Sequence, residues 1–163
     1  MPSNIPLSSL HVVVQVSMGW QDQHLHQWRF GQATFGSGAE ADWGDPVEDE
    51  SNALLGELAA ADSAFSYDYD LGDGWEHLVE VEAVVPFDPS EPPLACLGGA
   101  GACPPEDCGG PAGYEHLLDA LVDPDDSEHD DVIRWLGDSF SPEEFDLAAI
   151  NRRLERLWRP AFG

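Results

Sequence analysis

Residues 67–80 read YDYDLGDGWEHLVE, with acids, two glycines and a histidine packed into one short stretch. How this stretch pairs decides the fold. A calcium loop of the form D-x-[DN]-x-[DN]-G needs glycine at position six and glutamate at position twelve. Counted from Asp68, position six is Asp73 and position twelve is Val79, which excludes that loop. A β-hairpin fits better. With Gly72, Asp73 and Gly74 in the turn, glycine supplies the positive φ that a short loop needs. Leu71 then pairs with Trp75, Tyr69 with His77, Tyr67 with Val79, and Phe65 with Val81. All eight share one face because side chains alternate along a strand. The other face carries Asp68, Asp70, Glu76, Glu80 and Glu82, with Leu78 alone apolar. This register sets Asp70 against Glu76, a mildly unfavourable like-charge pair. An arginine, a metal ion or hydration would each relieve it, hydration being the simplest.

Outward from the hairpin, Leu7, Leu10, Val14 and Met18 form a helical stripe that stops at Gly19. HLHQWRFG alternates as a strand, with His24, His26, Trp28 and Phe30 on one face. Residues 36–50 are rich in Gly, Asp and Glu and read as a surface loop. SNALLGELAAA suits a short helix with Ser51 as N-cap and Leu54, Leu55 and Leu58 facing inward. Pro86 to Gly113 holds all three cysteines and many prolines and glycines, a long irregular segment that something must pin. The last third is helical. One helix follows Gly113 and ends at Pro124; a second has Ser127 and Asp130 as a capping box and stops at Gly137. A third has Ser141 as N-cap, with Phe145, Leu147, Ile150, Leu154 and Leu157 as its buried stripe. The expectation is a single α+β domain over residues 1–163: a mostly antiparallel or mixed sheet packed with helices, its C-terminal third helical.

Charge is the extreme feature of the composition. Six arginines and no lysine stand against 32 acids, for a net charge of −26. Such a surface repels nucleic-acid phosphates and anionic membranes, so direct binding to either is not expected. It is either a solvated surface or one shaped for a basic protein partner. The first residues lack a basic segment followed by an apolar one, and no stretch approaches the ~20 apolar residues of a membrane span. A cytoplasmic location is the expectation, and three cysteines do not make a secreted disulfide framework.

Two sets of residues have metal-ligand chemistry. Cys96, Cys103 and Cys108 are spaced C-x6-C-x4-C, and zinc held by their thiolates with His77 as fourth ligand would pin the irregular segment. They read equally as small buried hydrophobes. His24 and His26 form an H-x-H pair, the alternative metal site, or else a pair of hydrogen-bonded core residues. No serine or cysteine nucleophile motif, P-loop or dinucleotide fingerprint is present.

The ordered set MGWQDQHLHQWRFG, YDYDLGDGWEH, CPPEDCGGPAGYEHLLDAL and FDLAAINRRL resembles the plasmid pRiA4b ORF-3-like family over about residues 7–158. The resemblance implies a compact α+β domain. Some members carry the label TnpR as passengers of insertion elements, but this chain shows no serine-recombinase pattern and its charge opposes DNA. Members usually have a further strand stretch, ending in a basic segment, ahead of the first helix. Here MPSNIPLSSL leads directly into that helix. A sheet edge left open in this way invites a partner strand or a homodimer; a start codon placed downstream accounts for it equally. The leading functional expectation is a non-catalytic interaction or accessory protein associated with mobile elements. The alternative is a metal-dependent hydrolase or nuclease built on His24, His26, His77 and the hairpin acids.

Overall fold

The computed structural model describes residues 1–37, 46–137 and 140–162. Five strands make one mixed sheet: β1 (His26–Phe30), β2 (Ala33–Gly36), β3 (Val47–Asp49), β4 (Ala64–Tyr69) and β5 (Trp75–Glu80). Their order is β3-β2-β1-β4-β5, antiparallel except for the parallel β2–β3 pair. Five helices join it: α1 (Leu7–Met18), α2 (Leu55–Leu58), α3 (Gly110–Val122), α4 (His129–Leu136) and α5 (Leu147–Phe162). The α+β expectation holds. Period-two alternation sends Trp28, Phe35, Phe65, Tyr67 and Tyr69 into a core shared with Leu7, Leu10 and Val13 of α1 and Ile150 and Leu154 of α5. Burying a side chain such as Trp28 contributes roughly 2–3 kcal/mol. The opposite face is polar, as befits a sheet with one wet side, and Leu78 stands on it 71% exposed.

The hairpin pairs in a register two residues from the expected one. Tyr69 faces Trp75, Tyr67 faces His77, and Phe65 faces Val79. An even shift keeps the paired residues of β4 and β5 on their predicted faces, but Leu71, expected inward, is exposed in the turn, and Asp70, expected outward, is buried. The cause is Asp70, which sits at φ 52° and leaves the ladder for the turn. Its Oδ1 accepts from the N–H of Gly72 (3.1 Å) and Asp73 (3.2 Å), and its carbonyl accepts from Gly74 at 2.6 Å. The turn therefore runs from residue 70 to 74. Asp68, not Asp70, opposes Glu76. An arginine relieves the pair: Arg29 Nη2 lies 3.1 Å from both Asp68 Oδ2 and Glu76 Oε1.

Other boundaries also move. β2 was not anticipated, although Gly31 at φ 61° makes a tight return between Phe30 and Ala33. Val47–Asp49 forms a strand inside the expected loop, of which residues 38–45 lie outside the described residues. The helix expected from Ser51 is broken, because Pro6 and Leu54 form a bridge: Leu7 donates to Ala53 O (2.9 Å) and Leu55 to Ile5 O (3.0 Å). Asp49, not Ser51, caps the 3-10 turn at Glu50–Asn52. Helix α3 starts at Gly110, α4 has no side-chain cap, and Asp146 caps α5 by accepting from Ala149 at 2.8 Å. Ser141 is not that cap; the carbonyl of the next residue, Pro142, accepts from Ala102 (2.8 Å) in the irregular segment.

That segment is tied to the rest of the fold by hydrogen bonds. Cys96 N–H donates to Asn151 Oδ1 (2.8 Å), and Asn151 Nδ2 returns a bond to Cys96 O (2.9 Å). Trp20 Nε1 donates to Pro104 O at 3.0 Å. Asp73 Oδ2 accepts from both Gly109 (3.0 Å) and Gly110 (2.9 Å), placing a carboxylate at the start of α3. Gly110 has φ 69°, and a side chain there would collide with the carbonyl of Asp73. Asp73→Ala is therefore expected to destabilise the fold by about 1–2 kcal/mol, as loss of a helix cap does. Urea unfolding measures this; an unchanged midpoint would show that the contact holds nothing.

A candidate metal centre beneath helix α1

The aromatic face of the sheet is not wholly apolar. His11, Gln15, His26 and Glu50 are all buried on or beneath it. Buried polar groups persist only when hydrogen-bonded, and these bonds order themselves. Asp22 N–H donates to Gln15 Oε1 (3.0 Å), which turns the Gln15 amide nitrogen to donate to Tyr67 OH at 3.0 Å. The Tyr67 proton then goes to His11 Nδ1 at 2.7 Å. His11 Nε2–H is left to donate to Asp22 Oδ1 at 2.8 Å. Burial lowers the His11 pKa below its ordinary 6.5, and the neighbouring His26 lowers it further, against the pull of Asp22. Both effects favour the neutral ring. Burial also pushes the Tyr67 phenol far above its ordinary value.

His26 lies flat on His11, with ring centroids 3.5 Å apart and planes 5° from parallel. Its Nε2–H donates to Glu50 Oε2 (2.9 Å), which also accepts from Trp28 Nε1 (3.1 Å). Removing Glu50 would strand two buried donors, at a cost of roughly 1–3 kcal/mol each. Each histidine thus has one ring nitrogen held by an orienting partner, Tyr67 for His11 and Glu50 for His26. Metal-ligating histidines are held in this way. One ligand atom from each of His11, His26 and Asp22 falls within 4.8 Å of the others. Asp22 is 61% exposed on its side chain, so the set is closed below and open above. Two imidazoles, a carboxylate and an open position suit zinc or a similar divalent ion.

His24 and His26 do not share a site. His24 precedes β1 and joins Asp70 and Asp107: its Nδ1 is 3.5 Å from Asp70 Oδ2 and its Nε2 is 3.2 Å from Asp107 Oδ1. Tyr69 lies beside this group, its ring centroid 5.9 Å from that of His24 and 6.5 Å from that of His11. Gln23 N–H donates to its hydroxyl, which donates to Glu106 Oε1, each at 3.0 Å. Burial, together with the Glu106 carboxylate, raises the Tyr69 phenol to about 12. Asp22, Asp70 and Asp107 all hold positive φ, of 55°, 52° and 58°. Side chains seldom sit there, and such positions concentrate at functional sites.

The cysteines and His77 are placed elsewhere. His77 Nδ1–H donates to Tyr67 O (3.0 Å), and its ring meets the edge of Trp20. Cys96 Sγ donates to Gly98 O at 3.4 Å. Burial raises the Cys103 thiol to about 12, and burial with the charge of Asp73 raises Cys108. Among the described residues, neither group of clustered ligand atoms contains a cysteine or His77. His11 and Asp22 escaped the sequence reading. The signal was present in α1, where His11 and Gln15 share the buried side with Leu7 and Leu10.

Comparison with known proteins now has a geometry to attach to. The family model for the plasmid pRiA4b ORF-3-like protein matches residues 1–149. An uncharacterized protein of Sinorhizobium fredii, y4hQ, is 40% identical over 152 residues, 92% of this chain and 75% of that one. The crystal structure of MM3350, a protein of unknown function from Methanosarcina mazei Go1, superposes with a TM-score of 0.81 at 34% identity, covering 91% of this chain and 84% of that one. By sequence and by fold, the chain belongs to the plasmid pRiA4b ORF-3-like family.

Proposed function

We propose that this protein binds a divalent transition-metal ion through His11, His26 and Asp22 and uses it for hydrolysis. The observation that carries the reading is that ligand atoms of His11, His26 and Asp22 lie within 4.8 Å of one another, each imidazole fixed at one nitrogen by a buried partner. The parallel rings must tilt apart for both to meet one ion in plane. An ion bound there supplies a Lewis acid and lowers the pKa of water. The chain's own groups prepare the site. Glu50 orients His26; Tyr67 orients His11 and can accept from Nδ1–H once Nε2 serves as ligand. Asp22 contributes charge and faces solvent. With a net charge of −26, the surface favours a neutral or cationic ester or amide over a phosphodiester, which sets the nuclease reading aside. Three free cysteines fit a reducing compartment such as the cytoplasm.

Titration of chelator-stripped protein with zinc by calorimetry tests this. His11→Ala and His26→Gln are each expected to weaken binding at least 100-fold, while replacing all three cysteines with serine leaves it unchanged. Loss of binding in the cysteine variant, with both histidine variants unaffected, would overturn the proposal.

A second reading rests on β5. Among the described residues no strand lies beyond it in the sheet, and its outer face carries Glu76, Glu80 and the exposed Leu78. A second copy would bring like charge, so an extended basic segment of another protein suits this edge better than a homodimer. The accessory role beside mobile elements belongs to this reading. The complex is expected to weaken steeply with salt and to be lost in Glu76→Gln/Glu80→Gln. A complex indifferent to both would contradict it.

A further inference from the structure

We infer that His24, Asp70 and Asp107 form a second divalent-cation site, which extends the metal-centre reading above. His24 Nε2 is enclosed by protein and has no hydrogen-bond partner. Asp107 Oδ1 at 3.2 Å and Glu106 Oε2 at 3.8 Å lie near it without the geometry of a bond. An orphaned buried nitrogen is unfavourable, a cost that a coordinated ion removes.

The carboxylates point the same way. Asp70 is buried, and its Oδ1 is engaged by the turn amides of Gly72 and Asp73, leaving Oδ2 on the His24 side. Asp107 is delivered by the irregular segment, two residues before the glycine that Asp73 fixes. Glu106, with a side chain only 11% exposed, stands behind them on Tyr69. The arginine pairs among the described residues join Arg29 to Asp68 and Glu76, Arg134 to Asp131, and Arg152 to Asp146. None reaches Asp70, Glu106 or Asp107. Buried carboxylates without a cation are costly, and one imidazole with two carboxylates is a ligand set for manganese or zinc.

The test is zinc stoichiometry of the full chain by equilibrium dialysis and elemental analysis, in excess magnesium to suppress loose binding to the acidic surface. The expected result is two equivalents for the wild type. His24→Ala and Asp107→Asn are each expected to retain one, still lost on His26→Gln. Asp107 is exposed, and asparagine tolerates its positive φ, so this variant reports even where His24→Ala perturbs folding. One equivalent in the wild type, unchanged by either variant, overturns the second site and leaves the first standing. Two equivalents retained in both variants also overturn it. No bound zinc at all overturns both sites.

Discussion

The carboxylate of Asp73 holds the backbone N–H groups of Gly109 and Gly110, and the assembly of the His24–Asp70–Asp107 group depends on that contact. It joins the tip of the β4–β5 hairpin to the start of α3 across a long stretch without regular structure. Glu106 and Asp107 lie just ahead of the fixed glycines, so the same contact sets them against Tyr69 and His24. The motifs YDYDLGDGWEH and CPPEDCGG are far apart in the chain. In space they are two halves of one capping interaction, which gives a physical reason for each to need the other.

Beneath α1 the fold accepts a polar network where an apolar core would be simpler. Stacked His11 and His26 with Tyr67, Gln15 and Glu50 fill the inner face, joined by hydrogen bonds. Such a network adds little net stability over well-packed hydrocarbon. Its effect is orientation: Tyr67 holds His11 at Nδ1 and Glu50 holds His26 at Nε2. The second group differs in kind, because its central nitrogen is unmatched and, among the described residues, no arginine pairs with its carboxylates. Tyr69 stands between the two groups.

The sequence disclosed these features unevenly. Alternation in HLHQWRF and YDYD placed Trp28, Tyr67 and Tyr69 inward correctly, because face depends only on parity. Register was less legible: the side chain of Asp70 builds its own turn, and an even slip leaves no trace in the pattern. The end of α1 at Gly19 was plain from glycine's left-handed backbone, whereas the starts of α3 and α5 were set by Asp73 and Asp146. His24 and His26 looked like one site because they are neighbours in the chain. The residues that lie nearest them, His11, Asp22, Asp70 and Asp107, come from other segments, and only the folded chain brings them together. The cysteine segment needed pinning, and backbone and amide hydrogen bonds supply it.

Charge frames the chemistry. An acidic surface concentrates cations and discourages anionic substrates, and the clustered ligand atoms among the described residues are those of histidine and aspartate. X-ray absorption at the zinc edge of the loaded protein tests this most directly. The account predicts a first shell of nitrogen and oxygen only, at ~2.0–2.2 Å with imidazole scattering beyond it; a sulfur shell at ~2.3 Å would contradict it and move the metal to the cysteines.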